Sequence, residues 1–280
     1  MNISYQFLFL LLTAIWFISL TATTIHPDEK KALKDIANSL GKKDWNFDID
    51  PCSNKPNWAT PAVPHVSDNN VTCDCSVAGD NFCHVISIIL IAQNLPGTLP
   101  PELTRLRYLQ IISLLGNRLT GSIPVEIANI STLQTLELWI NQMSGNLPPE
   151  LGNLTQLQIL RLSSNNFTGE LPMTLAKLTN LQDFRIEGNQ FSGKIPDYIQ
   201  NWTSIQNLMI QGSGLSGPIP SGISLLNLTD LRISDLDGSE DAPLPQLNKM
   251  TSLQTLILRN CNISGKLHDY LGTMPLLKTL

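Results

Sequence analysis

Glu137, Arg161 and Arg185 place an acid and two guanidinium groups at one phase of a 24-residue spacing. Two residues further on in such units stand Leu115, Trp139 and Glu187, and Ile140 follows the indole directly. An aromatic anchor beside arginines and exposed apolar side chains is the composition of a binding hot spot. Such a surface would hold a peptide or a saccharide, since aromatic and guanidinium groups serve both. The purely structural alternative is that Glu137 and Arg161 pair across a sheet while Trp139 packs on its neighbours.

Reaction chemistry finds less support. His26, His65, His84 and His268 fall in different modules of the chain, so neither a Ser-His-Asp nor a Cys-His arrangement is indicated. Glu137 and Glu187 could come within two strands of each other, but nothing encloses a pocket around them. GSGLSG at Gly212 to Gly217 matches the dinucleotide fingerprint, yet Pro218 and Pro220 stand where its helix should open. The run with Asp235, Asp237, Glu240 and Asp241 invites a calcium reading. Its acids and glycine are out of register for a calcium loop, and a solvated loop is expected. No enzyme activity, no cofactor and no metal site is therefore expected.

Cysteine usage points the same way. Cys52, Cys73, Cys75 and Cys83 lie in a stretch too small and too polar for a core of its own, and no Cys-x-x-Cys pair suggests zinc. Disulfides Cys52–Cys73 and Cys75–Cys83 are expected, because each joins a distinct loop and a Cys73–Cys75 bridge would be strained. Cys261 is left over and reads as a buried thiol.

The elements that must position these residues come from a repeat. Leu90, Leu114, Leu138, Leu162, Ile186 and Ile210 follow at steps of 24, and Ile233 and Leu258 at steps of 23 and 25. Around each runs a skeleton of alternating leucines, an Asn and a Gly-x-[Ile/Leu]-Pro, best complete in LQTLELWINQMSGNLP from Leu133 to Pro148. Units of this kind cannot bury their apolar side alone and must stack, so the fold expected is an α/β-type solenoid of leucine-rich repeats. Alternation of Leu136 and Leu138 with Glu137 marks a short strand, and the strands should form a parallel sheet on the concave face. Asn117, Asn141, Asn165 and Asn189 should bond backbone groups where the chain leaves each strand. The repeating prolines make the convex side irregular or 3₁₀ rather than helical.

Three parts follow: a leader over residues 1–24, an N-terminal cap over 25–84, and repeats over 85–280, eight units and a truncated ninth. Phe7 to Leu20 is an apolar run shorter than the ~20 residues of a membrane span, so it reads as a secretory leader with cleavage after Ala22 or Thr24. From Pro27 to Leu40 a helix is expected, with Pro27, Asp28 and Glu29 at its start and Gly41 at its stop. Its apolar face would cover the first repeat, leaving Lys30, Lys31, Lys34, Lys42 and Lys43 as a solvated face. Net charge is −5 without a basic block, which argues against nucleic acid. N-x-[Ser/Thr] sequons at Asn70, Asn129, Asn153, Asn166, Asn201, Asn227 and Asn262 are mostly in phase with the repeat, so glycans would line up on particular faces. Leu280 fills only the first strand slot of the ninth unit, from which an incomplete chain with an uncovered apolar end is expected.

The LxGxIP form of the repeat, the cap stretch DEKKALKDIANSLGKKDWNFDIDPC and the VTCDCS…CHV run resemble the extracellular part of plant leucine-rich-repeat receptor-like kinases. ILRNCNISGKL and LGTMPLLKTL point within that family to the members that join such repeats to a malectin-like domain. The resemblance implies plant-type repeats with a disulfide-stapled cap. It also implies an extracellular recognition module for a peptide, a protein or a wall-derived saccharide, with a co-receptor as a further partner. In such relatives a membrane span and a cytoplasmic Ser/Thr kinase follow, so plasma-membrane localisation would come through segments this chain does not contain. The sequence has no Gly-rich loop, catalytic lysine or HRD segment onto which kinase activity could be carried. A free-standing secreted repeat protein, such as an inhibitor of a microbial wall-degrading enzyme, is the alternative.

Overall fold

The computed structural model describes residues 24–53, 55–238 and 241–280. The expected leader over 1–24 lies outside them except for Thr24, as does Glu240 of the acidic loop. Among the described residues no helix is long and apolar enough to cross a membrane.

Helix α1 spans Pro27–Leu40, with Pro27 in its first turn, Asp28 and Glu29 at its positive end, and Gly41 at φ +74° closing it. Ala32, Leu33, Ile36, Ala37 and Leu40 are buried. The helix meets the first repeat at Gly97, where a Cβ would fall 1.9 Å from the Ser39 carbonyl oxygen. Only glycine permits that approach, which lets the Thr98 N–H donate to Ser39 O at 3.1 Å. The expected solvated lysine face needs one correction: Lys42 is buried. Its Nζ reaches Asp44 Oδ1 and Gln93 Oε1, each at 2.7 Å. Burial disfavours the ammonium and lowers its pKa despite Asp44, while the Lys42 and Thr60 bonds hold Asp44 well below the usual carboxylate range against its own burial.

The cap continues through β1 (Asp68–Asp74), antiparallel to β2 (His84–Ile91). Cys52 is bonded to Cys73 and Cys75 to Cys83. Trp45 is buried at the base of the cap, 5.1 Å from Trp58 between ring centroids, and its indole N–H donates to Asn69 Oδ1.

From β2 onward every strand of the main sheet is parallel to the last, in order Ile111–Ser113, Thr135–Glu137, Ile159–Arg161, Asp183–Arg185, Asn207–Gln211, Asp230–Ser234 and Thr255–Arg259. The register is in phase with the repeat: Ile88, Ile112, Leu136, Leu160, Phe184, Leu208, Leu231 and Leu256 form one buried row. A second sheet, which periodicity did not predict, joins Ser144–Asn146, Asn166–Gly169 and Gln190–Phe191. It forms where Phe167 and Phe191 turn inward and stack at 6.3 Å. Convex segments are 3₁₀ helices such as Val125–Asn129 and Pro149–Asn153, each following the repeat's proline.

The asparagine ladder carries the turns. Asn165 Nδ2 donates to Leu138 O, Leu162 O and Ser163 O, and its Oδ1 accepts the Met143 N–H, so one side chain ties two units together. In the eighth unit Cys261 takes this slot and its thiol donates to Ile233 O at 3.3 Å and Arg259 O at 3.2 Å. Burial pushes that thiol up to about 11, so it is a turn donor and no nucleophile. Within the irregular seventh unit, Leu236 fills the asparagine slot and Asp235 accepts from Ser234, Arg259 and Asn260. Gly212 to Gly217 is a turn between a strand and Pro218, with no α-helix after it.

Candidate functional site

Every strand of the concave face is followed by a residue in the left-handed region, because the chain must leave the sheet there. Gly116, Gly188 and Gly212 fill that slot in three units, Ser164, Asp235 and Asn260 in others, and Ile140 fills it in the third at φ +56°. A β-branched residue is the least suited to that conformation. Ile140 is also 49% exposed, so no core contact explains its presence. Replacing Ile140 with Gly is expected to raise stability by about 0.5–1 kcal/mol, the relief of left-handed strain less the entropy of glycine. A shift of the denaturation midpoint checks this, and a fall would show that Ile140 is held by packing.

The residues expected on this face come together there. Glu137, Arg161 and Arg185 are half-buried on adjacent strands, and Leu115, Trp139 and Glu187 are half-buried two residues beyond the ends of their strands. Their neighbours in the same columns are less accessible than alternation alone suggests: Ser113 and Met209 are buried. Glu137 explains Ser113, since its Oε2 accepts the Ser113 hydroxyl at 2.8 Å.

Charge on this face forms a ladder across the strands. Arg161 Nη1 donates to Glu137 Oε1 at 2.6 Å and its Nη2 to Asp183 Oδ2 at 2.7 Å. Arg185 grips the same carboxylate through Nε and Nη2, at 2.7 and 2.8 Å. Ser163 donates to Glu187, and Arg232 repeats the fork on Asp230. Burial opposes the Arg161 charge, but the bonds and charges of Asp183 and Glu137 outweigh it and raise its pKa. The cross-strand pairing of Glu137 with Arg161 is thus real, and both arginines are held rather than free.

Sequence reasoning missed Asp183, the centre of this ladder. Its signal was available in D-F-R at Asp183–Arg185 and D-L-R at Asp230–Arg232, where an acid precedes the arginine by one side-chain period. Beside the ladder, Trp139 Nε1 and Arg161 Nε are buried without a hydrogen-bond partner among the described residues. Orphan donors are uncommon, and two in neighbouring units ask for an explanation.

Sequon positions leave most of this face clear. Asn129, Asn153 and Asn201 are exposed at the ends of convex 3₁₀ segments, Asn227 is exposed just after one, and Asn166 lies on the second sheet. Asn70 is exposed on β1 opposite Ile89, at the N-terminal margin of the concave face, and Asn262 is half-buried.

One expectation about chemistry needs correction. His26 and His84 do not lie apart: their rings stack at 5.8 Å, and the Tyr108 ring centroid lies 4.3 Å from that of His84. His84 Nδ1 is 2.8 Å from Glu29 Oε1 and Nε2 is 2.9 Å from Asp80 Oδ2. A carboxylate on each nitrogen favours the doubly protonated ring. Burial opposes that charge, but the two acids prevail and raise its pKa.

Comparison with known proteins fits this geometry. The leucine-rich-repeat family model matches residues 156–178, 180–202 and 252–274. A probable LRR receptor-like serine/threonine-protein kinase of Arabidopsis thaliana is 47% identical over 92 residues, which are 32% of this chain and 9% of that protein. The chain therefore spans about a tenth of that relative's length. The ectodomain of the Arabidopsis receptor kinase SOBIR1 superposes with a TM-score of 0.58 at 30% identity, over 70% of this chain and 99% of that one. The ectodomain of the Arabidopsis receptor kinase HAESA, solved with a peptide hormone ligand, gives a TM-score of 0.73 at 25% identity, over 89% of this chain and 40% of that one. With its stacked units, parallel concave sheet, 3₁₀ convex turns and disulfide-bonded cap, the chain is a leucine-rich-repeat protein, similar along its repeats to the ectodomains of plant receptor kinases.

Proposed function

We propose that the chain is the extracellular recognition module of a plant receptor-like kinase and that it binds an extended peptide across the concave face at Trp139 and Ile140. The observation that carries this is Ile140, exposed in a strained left-handed slot beside a half-buried indole. Strain of that kind persists at ligand clamps when the surroundings over-determine it. The charge ladder supports the reading, because side chains already fixed in place lose little entropy when a ligand docks. The ligand of the HAESA ectodomain is a peptide hormone, which favours a peptide here over a protein or a wall-derived saccharide. The receptor-kinase likeness favours this role over a secreted inhibitor of a wall-degrading enzyme. Kinase and membrane-spanning parts, and a malectin-like domain if the receptor is of that subfamily, would be contributed by other segments of such a receptor.

Affinity selection of synthetic secreted-type peptides on the folded chain tests the proposal. Trp139→Ala is expected to weaken each selected peptide by roughly 30-fold, the effect of a hot spot of about 2 kcal/mol. Ile140→Gly should weaken the same peptides while stabilising the fold. Selected peptides that bind both folded variants as tightly as the parent would place the site elsewhere.

A further inference from the structure

A second cleft lies nearer the N-terminus than Trp139, where the start of α1 meets the first repeats. The cleft there has a volume of about 520 Å³ and is lined by His26, Asp28, His84, Arg105, Arg107 and Tyr108 among others. That volume lies in the range of small-molecule pockets.

Which of its polar groups are available follows from the bonds already made. Glu29 and Asp80 are engaged by His84, and Arg105 by Asp35 at 2.6 Å. The Arg107 guanidinium and the Tyr108 hydroxyl have no hydrogen-bond partner among the described residues. His26 Nδ1 accepts the Asp28 N–H, so in the neutral ring the proton is on Nε2 and that nitrogen is a donor. The free groups of the cleft are therefore these three donors, one with a fixed positive charge, and the exposed Asp28 carboxylate, which stands 4.0 Å from His26 Nδ1. The concave arginines Arg161, Arg185 and Arg232 differ, since each already grips a carboxylate.

The cleft also has an aromatic wall. His26, His84 and Tyr108 form a continuous run of rings, and Tyr108 is 36% exposed. A pyranose ring presents an apolar C–H face that packs on such a wall and a rim of oxygens that accept hydrogen bonds. A carboxylate on the sugar matches the fork of Arg107, where two parallel N–H bonds are stronger than neutral ones.

We propose that this cleft binds an acidic saccharide of the uronic acid class, its ring on Tyr108 and His26 and its carboxylate on Arg107. The concave face and this cleft would then take ligands of two chemistries at separate places, independently of whether the peptide proposal holds.

Titration of the folded chain with trigalacturonate, with maltotriose and sodium sulfate as separate arms, tests the proposal by calorimetry. Saturable binding of trigalacturonate is expected, with at least tenfold weaker binding of maltotriose and of sulfate alone. Arg107→Ala should weaken trigalacturonate at least tenfold and Arg107→Lys by less, while Trp139→Ala leaves it unchanged. An unchanged circular dichroism spectrum and melting temperature certify that the Arg107 variants are folded. Absent binding, equal binding of the neutral trisaccharide or of sulfate, or full affinity in the folded Arg107→Ala chain would each overturn the assignment.

Discussion

Asp183→Ala is expected to destabilise the repeats by about 3–5 kcal/mol, the cost of removing one partner from a buried ionic cluster. The Asp183 side chain is 5% exposed and accepts from Arg161, twice from Arg185 and from Asn207 Nδ2. Arg161 and Arg185 are register partners on adjacent parallel strands, so without the carboxylate two guanidinium groups face each other across one strand spacing. Like charges directly opposite are unfavourable even at a surface, and here both are partly out of water. Arg161 would keep Glu137, whereas Arg185 would lose the fork that holds it. Asp183→Asn should cost less, since an amide can still accept one bond. Urea unfolding of the three proteins measures the difference. A loss below about 1 kcal/mol for the alanine variant would mean that the ladder is a solvated surface pairing and not a structural element. Because a solenoid is stabilised chiefly between neighbouring units, the damage should be local: amide exchange should speed up around strands Ile159–Arg161 and Asp183–Arg185 before it does so near α1.

What could be read in advance divides by the range over which the information runs. Position within a unit is a local, periodic property. The leucine columns, the asparagine turns, the proline-led 3₁₀ segments and the helix bounded by Pro27 and Gly41 were therefore all visible in the chain. So was the gathering of Leu115, Trp139, Arg161 and Glu187 on one face, because a parallel register converts equal spacing into adjacency. Contacts with no period were hidden. Glu29 and His84 are 55 residues apart, and nothing in their local sequence says that α1 folds its first turn onto β2. Lys42 looked like one of a run of surface lysines, yet the turn after Gly41 points it at Asp44 and Gln93. Asp183 belongs to a column two residues upstream of the arginines that also holds Thr135, Ile159, Asn207 and Thr255, so its acid carries no periodic signal. The backbone strain at Ile140 becomes apparent only when its slot is compared with the glycines of the other units.

The clasp around His84 should make the stability of the cap depend on pH in a direction that can be derived. Glu29, only 4% exposed, accepts from His84 Nδ1 and from the Val85 N–H at 2.7 Å, so one carboxylate ties α1 to the first strand of the repeats. Asp80, on the loop closed by Cys75–Cys83, holds the other nitrogen. Across the cleft stand Asp28, Arg105 and Arg107, and Asp74 also feels the imidazolium charge. The His84 pKa is raised in the folded protein, so its contribution is complete below the unfolded value of about 6.5 and is lost as pH rises through the folded value. The Asp80 pKa is lowered, chiefly by the His84 bond, so its contribution is present above about 3.9 and disappears as pH falls through the folded value. The clasp is therefore strongest in mildly acidic solution. His84→Gln should cost about 3–5 kcal/mol there, because the buried Glu29 loses its cation. That cost should shrink steadily above neutral pH, where the parent loses the same charge by deprotonation. Glu29→Gln should behave alike, and the double variant should cost less than the two singles added, since one clasp cannot be broken twice. Stability of the four proteins across about pH 5 to 9, a span that contains the unfolded histidine value of about 6.5, decides the matter. A His84→Gln cost that is flat over that range would show that the ring holds α1 through packing against His26 and Tyr108 and not through its charge.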